Sequence, residues 1–181
     1  MSNFNVAIKV ILMHEGGWVD DPRDRGGETN FGISTLIIER EKITNEFLGL
    51  PADFKRTPGW MKSMKVEAAV KVYMQLFWDK YQYDLIGDQN MATKIFDCGV
   101  NCGPSRAHTM AQKALNDMGV VIEVDGSLGP KTFKALNSVM PNSFMARMRG
   151  QMEMYYNSII ISRPLNAAFK NNWMKRAAWG A

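Results

Sequence analysis

Glu15 is the residue whose type and position most directly suggest chemistry. It is followed by Gly16, Gly17 and Trp18, and then by three aspartates, Asp20, Asp21 and Asp24. Glu15 falls four residues after Ile11 and three after Leu12, so on a helix it extends an apolar stripe. The two glycines then end that helix. An apolar neighbourhood and a helix C-terminus both favour a protonated carboxyl over its anion. Glycosidic cleavage needs such an acid, because the leaving oxygen must be protonated as the bond breaks. A second carboxylate could stabilise an oxocarbenium-like transition state or activate water. Asp24 is the best placed of the three aspartates, since the chain has room to fold back beside Glu15. Plainer readings stand beside these. Glu15 could be a surface glutamate that ends a helix, and the aspartates could bond their own backbone in turns, above all at Asp21-Pro22. Thr29 and Asn30 could position a water or act as local caps. Trp18, Trp60 and Trp78 are candidate platforms for stacking a sugar. Trp18 lies in the irregular stretch beside Glu15, whereas Trp78 sits at helical spacing and reads as core.

A nucleophilic centre has weaker support. Cys98 or Cys102 could pair with His108, but nothing local activates a thiolate. Four residues apart, the two thiols share a helix face, where they read as small buried hydrophobes. Two cysteines make no disulfide framework. His14 and His108 are the only histidines, too few for a three-ligand catalytic zinc. No metal and no cofactor are expected.

The elements that must position these residues are mainly helical. Ser2 or Asn3 can cap a first helix whose apolar positions are Phe4, Ala7, Ile8, Ile11 and Leu12. From Trp18 to Ile33 the chain is rich in Asp, Gly, Pro and Thr, an irregular excursion with a short hairpin expected around Gly26-Gly27. Helices are expected over 35–42, 62–81, 91–101, 105–118, 130–139, 143–161 and 166–178. Ser105 and Ser143 serve as caps, and Pro130 as a first helical residue. Few stretches alternate with period two, so the fold class is mainly α.

The chain has 181 residues, 22 Lys and Arg against 18 Asp and Glu, and a net charge of +4. That balance suits anionic partners such as wall polymers or lipid, or simply solubility. No basic arm and no zinc-finger spacing point to nucleic acid. The N-terminus lacks a basic leader and a small-residue cleavage site, and no apolar stretch is long enough to span a bilayer. Synthesis in the cytoplasm without a signal peptide is the expectation. The last segment, from Phe169 to Trp179, is basic and aromatic. It reads first as a packed C-terminal helix with solvated lysines, and secondly as a segment that could touch an anionic outer membrane transiently, without stable insertion.

Two ordered motifs sharpen the reading. The run Glu15-Gly16-Gly17-Trp18-Val19-Asp20-Asp21-Pro22, then Asp24, Gly26-Gly27, Thr29-Asn30 and Gly32-Ile33, resembles the signature of glycoside hydrolase family 108. These are bacterial and phage N-acetylmuramidases, also described as secretion activators. Ser34 stands where that family often has Thr. Further on, Phe96-Asp97, Gly99-Val100-Asn101 and Gly103, followed by Val124-Asp125-Gly126-Ser127-Leu128-Gly129-Pro130-Lys131-Thr132, resemble the companion region described as a predicted peptidoglycan-binding domain.

The resemblance implies a lysozyme-like helical fold and hydrolysis of the β-1,4 bond between N-acetylmuramic acid and N-acetylglucosamine. It carries the catalytic acid onto Glu15 alone. The spacing from Glu15 to Asp24 and Thr29 is also similar to the Glu, Asp, Thr arrangement of phage-type lysozymes, with the Thr one residue early. Asp24 and Thr29 enter the catalytic set on that looser analogy. Trp18, Asn30 and Asn101 are the expected substrate contacts. Residues 1–90 form the expected catalytic region and 91–181 the peptidoglycan-binding region. With no linker between them, the two are expected to pack as one body with Asn101 lining the cleft. A monomeric phage endolysin released through a holin-type pore fits these features, with peptidoglycan glycan strands as partner. A lytic transglycosylase acting on the same bond, and a non-catalytic wall-binding or secretion-associated protein, are the alternatives.

Overall fold

The computed structural model describes residues 1–20 and 27–180. Its helices are α1 (Phe4–His14), α2 (Thr35–Arg40), α3 (Val66–Tyr73), α4 (Gln89–Cys102), α5 (Pro104–Asn116), α6 (Pro130–Leu136), α7 (Pro141–Ser162) and α8 (Lys170–Ala178). Two short strands, β1 (Thr29–Asn30) and β2 (Ile33–Ser34), pair antiparallel after α1. The fold is therefore mainly α with a small hairpin after the first helix. The chain divides into two compact units, residues 8–76 and residues 1–7 with 77–181.

The first unit is organised by its hairpin. Asn30 pairs with Ile33, so Phe31 and Gly32 form a two-residue turn, and both have positive φ, 48° and 75°. Two left-handed residues in succession give a type I′ turn, whose twist matches that of the paired strands. The turn lies five residues beyond the Gly26-Gly27 position expected from composition. Val19 pairs with Thr29 on the other edge through two backbone hydrogen bonds of 2.8 and 2.9 Å, which closes the excursion between them. Ser34 ends β2 and caps α2, its hydroxyl accepting from the Ile37 amide at 3.3 Å.

The long helix expected over 62–81 is broken into three. A 3-10 turn covers Trp60–Ser63, α3 covers Val66–Tyr73, and a π-helical stretch covers Met74–Asp79. Within α3, Ala68, Ala69, Val72 and Tyr73 are buried.

The second unit is built around α4. Ten of its fourteen residues are buried, among them Lys94, Phe96, Asp97 and Cys98, and it packs on α5 and α7. Asp88 caps its start, accepting from the Met91 amide at 2.9 Å. Phe4, Trp78, Tyr83 and Phe96 form an aromatic cluster with ring centroids 5.5–6.2 Å apart, which places Trp78 in the core. Cys98 and Cys102 are buried free thiols on α4, and His108 is engaged elsewhere. Its Nδ1 lies 3.1 Å from the Gly126 carbonyl and its Nε2 lies 2.9 Å from the Tyr83 hydroxyl. A carbonyl only accepts, so Nδ1 carries the proton and Nε2 accepts from Tyr83.

The C-terminal helix is anchored by buried charge. Arg176 meets Asp97 in a two-nitrogen ion pair at 2.8–3.1 Å, and Asp97 is fully buried. The Lys94 ammonium donates to the carbonyls of Arg176, Ala177 and Trp179 at 2.6–3.0 Å, satisfying the open end of α8. Burial pushes the Lys94 amine down to about 8. The helix expected over 166–178 begins as a 3-10 turn, Pro164–Phe169, and becomes α only at Lys170. Ser105 and Ser143 do not cap: α5 starts at Pro104 after Gly103, and α7 at Pro141 after Met140.

The Asp125 motif shapes a loop. Asp125 accepts from the Ser127 amide at 2.8 Å and from the Gln112 amide nitrogen at 2.7 Å, while Gln112 in turn accepts from the Gly126 amide. A Cβ at Gly126 would fall 2.7 Å from the Ser105 hydroxyl. Pro130 is the first residue of α6, as expected.

Candidate active site

Helix α1 delivers Glu15. The helix proper ends at His14, but the Glu15 amide still donates to the Ile11 carbonyl at 2.9 Å, so Glu15 is set on the last helical turn. Its side chain is half-buried and reaches the hairpin turn. A Cβ built on Gly32 would lie 2.4 Å from Glu15 Oε2, 2.8 Å from its Cδ and 2.5 Å from the Tyr73 hydroxyl. The bare face of Gly32 is thus the floor on which the Glu15 carboxyl and the Tyr73 hydroxyl converge. Position 32 must be glycine twice over, for its φ of 75° and for this close approach.

Tyr73 makes the floor rigid. Its ring is 1% exposed, and its hydroxyl donates to the Phe31 carbonyl at 2.8 Å. One buried phenol on α3 therefore holds the turn while lying beside the acid. Helical spacing alone assigns Tyr73 to the core face of its helix. Its functional placement depends on a hydrogen bond forty-two residues back in the chain, which no local pattern encodes.

A second carboxylate, Glu28, organises the surroundings. It is buried and accepts from the backbone N–H groups of Gly59 and Met61 and from the Trp18 indole N–H. The Gly59 N–H holds its carboxyl below the usual glutamate range. The Trp18 and Met61 bonds and the Lys62 charge act in the same direction, against the opposing effect of burial. Lys62 Nζ lies 4.0 Å from the centre of the Trp18 ring, over its face. Trp18 is therefore fixed by two contacts, an indole hydrogen bond to an anion and a cation over one ring face. Glu28 is not among the residues that the sequence singles out. The available signal was an acid placed between two glycines and the first strand.

The other expected site residues fall as follows. Asn30 is buried and its amide nitrogen donates to the Met61 carbonyl at 2.8 Å, so the side chain ties the hairpin to the 60–63 turn and does not face solvent. Thr29 is half-buried in β1, with its backbone paired on both sides. Asp24, with Asp21, lies outside the described residues. Asn101 belongs to the second unit and is exposed at the end of α4. Its Oδ1 accepts from the Tyr156 hydroxyl at 2.9 Å, which orients the amide. Trp60 is buried, with Phe54 at its edge and Arg56 over its ring, and presents no platform.

A half-buried carboxyl set on a helix end lies against a two-residue turn that a buried phenol bonds in place. An α-helical body with one such acid beside a small hairpin defines the lysozyme-like class. The sequence matches Glycosyl hydrolase 108 over residues 8–103 and a Predicted Peptidoglycan domain over residues 106–178. The chain belongs to glycosyl hydrolase family 108 and is a glycoside hydrolase directed at peptidoglycan. Among solved structures, that of SagA from Brucella abortus is similar. The two are 23% identical, 97% of this chain and 89% of that one are covered, and the TM-score is 0.73. Among curated proteins none matches. The boundary between the two matched regions falls between α4 and α5, inside one compact unit, where α4 packs on α5 and α7.

Proposed function

We propose that this protein is an N-acetylmuramidase that hydrolyses the β-1,4 bond between N-acetylmuramic acid and N-acetylglucosamine, with Glu15 as general acid. The observation that carries this reading is the seating of the Glu15 carboxyl on the bare Cα of Gly32 beside the Tyr73 hydroxyl. Glu15 protonates the glycosidic oxygen, positive charge develops on the muramic sugar, and water completes the hydrolysis. Asp24 is the proposed partner carboxylate, and Thr29 the group that orients the water. Trp18, with its ring anchored by Glu28 and Lys62, and Asn101, with its amide oriented by Tyr156, are the proposed contacts to the glycan. The two matched regions are proposed to act together, because α4 is shared between the first match and the packing of the second. The proposed setting is host lysis by a monomeric phage endolysin that reaches the wall through a holin-type pore.

Mass spectrometry of digested, purified peptidoglycan tests the reaction. Muropeptides with a new reducing N-acetylmuramic acid end are the expected product. Anhydro-muropeptides would replace the hydrolase by a lytic transglycosylase, and binding without soluble products would replace it by a wall-binding protein.

A further inference from the structure

After Glu153 the sequence contains no acidic residue, while Arg163, Lys170, Lys175 and Arg176 supply four positive charges. Arg176 is consumed by Asp97, but Arg163, Lys170 and Lys175 are exposed. The junction between α7 and α8 also displays large apolar side chains in water. Ile161 is 82% exposed, Leu165 92% and Phe169 53%. Isolated exposed apolar residues are ordinary on a protein surface, but three within nine positions, set among cations, need a reason. Core packing does not supply one. The inward face of α8 is already satisfied by Arg176, Ala177 and the Lys94 bonds, and Phe169, whose ring lies 5.8 Å from that of Trp173, stays half-exposed.

We propose that this α7–α8 corner is a membrane-surface contact, and that its partner is an anionic lipid bilayer. Apolar side chains entering the acyl boundary while flanking cations meet lipid phosphates is how an interfacial segment binds. Charge complementarity selects the occupant: a second copy of this chain would bring the same cations against each other, whereas an anionic surface neutralises them. No helix among the described residues is long and apolar enough to cross a membrane, so the contact is superficial. The corner does not include Glu15 or its surroundings, so binding and hydrolysis are separable.

The test is co-sedimentation of the full chain with vesicles of phosphatidylglycerol and phosphatidylethanolamine, against vesicles of phosphatidylcholine alone. The wild type should sediment with the anionic vesicles only, and less so as salt rises. Leu165→Ser with Phe169→Ser should weaken binding about tenfold or more. Arg163→Gln with Lys170→Gln should weaken it further at low salt than at high salt. Both variants should unfold at the wild-type temperature and digest purified peptidoglycan as the wild type does. Equal binding to both vesicle types, no binding, or unchanged binding by the apolar variant would each overturn the proposal. So would a wild-type dimer in light scattering that the apolar variant abolishes.

Discussion

Three glycines share nearly one backbone conformation and differ in what a methyl group would meet. Gly32, Gly27 and Gly49 have φ of 75°, 73° and 73°. At Gly49 nothing among the described residues lies within 4 Å of an added Cβ, at Gly27 the Thr35 hydroxyl lies at 2.3 Å, and at Gly32 the Glu15 carboxyl lies at 2.4 Å with the Tyr73 hydroxyl at 2.5 Å. Alanine at any of the three carries the left-handed penalty of roughly 1–2 kcal/mol, or about 2–8 °C in Tm for a chain of this size. Gly49→Ala should show that loss alone, with unchanged kcat. Gly27→Ala should lose somewhat more stability, also with little effect on kcat. Gly32→Ala differs because one of its neighbours can yield. The Tyr73 ring is buried and bonded to Phe31, whereas the Glu15 carboxyl is the far end of a longer, half-buried side chain with more rotatable bonds. The acid therefore moves, by about 1 Å or more, and a displacement of that size costs roughly 10²-fold in rate. Thermal unfolding and release of reducing ends from purified peptidoglycan measure the two effects. If Gly32→Ala keeps wild-type kcat while losing only what Gly49→Ala loses, Gly32 does not position the acid.

Other consequences concern the second unit. Burial pushes the His108 imidazole down to about 4, opposed by its Gly126 bond and by Asp125. The unfolded chain therefore binds the extra proton between about pH 6.5 and 4. Stability is whole above pH 6.5 and falls by roughly 3 kcal/mol as the pH drops to 4; in urea titrations His108→Gln should flatten that slope. Asp97→Ala leaves Arg176 buried without its partner and should cost about 3–5 kcal/mol. Deleting residues 170–181 removes all three acceptors of Lys94 and should unfold the second unit, as circular dichroism would show.

Much of this was legible in the sequence, for reasons the residues make plain. The apolar stripe through Ile11 and the glycines after it put Glu15 on a helix end, and Pro130 marked the start of α6, because both signals are local. The hairpin was expected too early. A type I′ turn is usually announced by Asn-Gly or Gly-Gly, and here Phe31 occupies its first left-handed position, held by the Tyr73 hydroxyl from a distant helix. The break of the 62–81 helix was equally hidden, since apolar spacing is compatible with α, 3-10 and π winding over one or two turns. Asn30 and Glu28 exchanged importance for the same reason. Which polar side chain is buried depends on where the 59–61 backbone lies, and that is set by tertiary packing.

Glu15→Gln tests the role of Glu15 as the acid most directly. The substitution keeps the size and the hydrogen-bonding reach of the side chain while removing the proton donor. On purified peptidoglycan the variant should keep the wild-type unfolding temperature and release new reducing ends at least about 10²-fold more slowly. A folded variant that releases them at close to the wild-type rate would contradict the central claim.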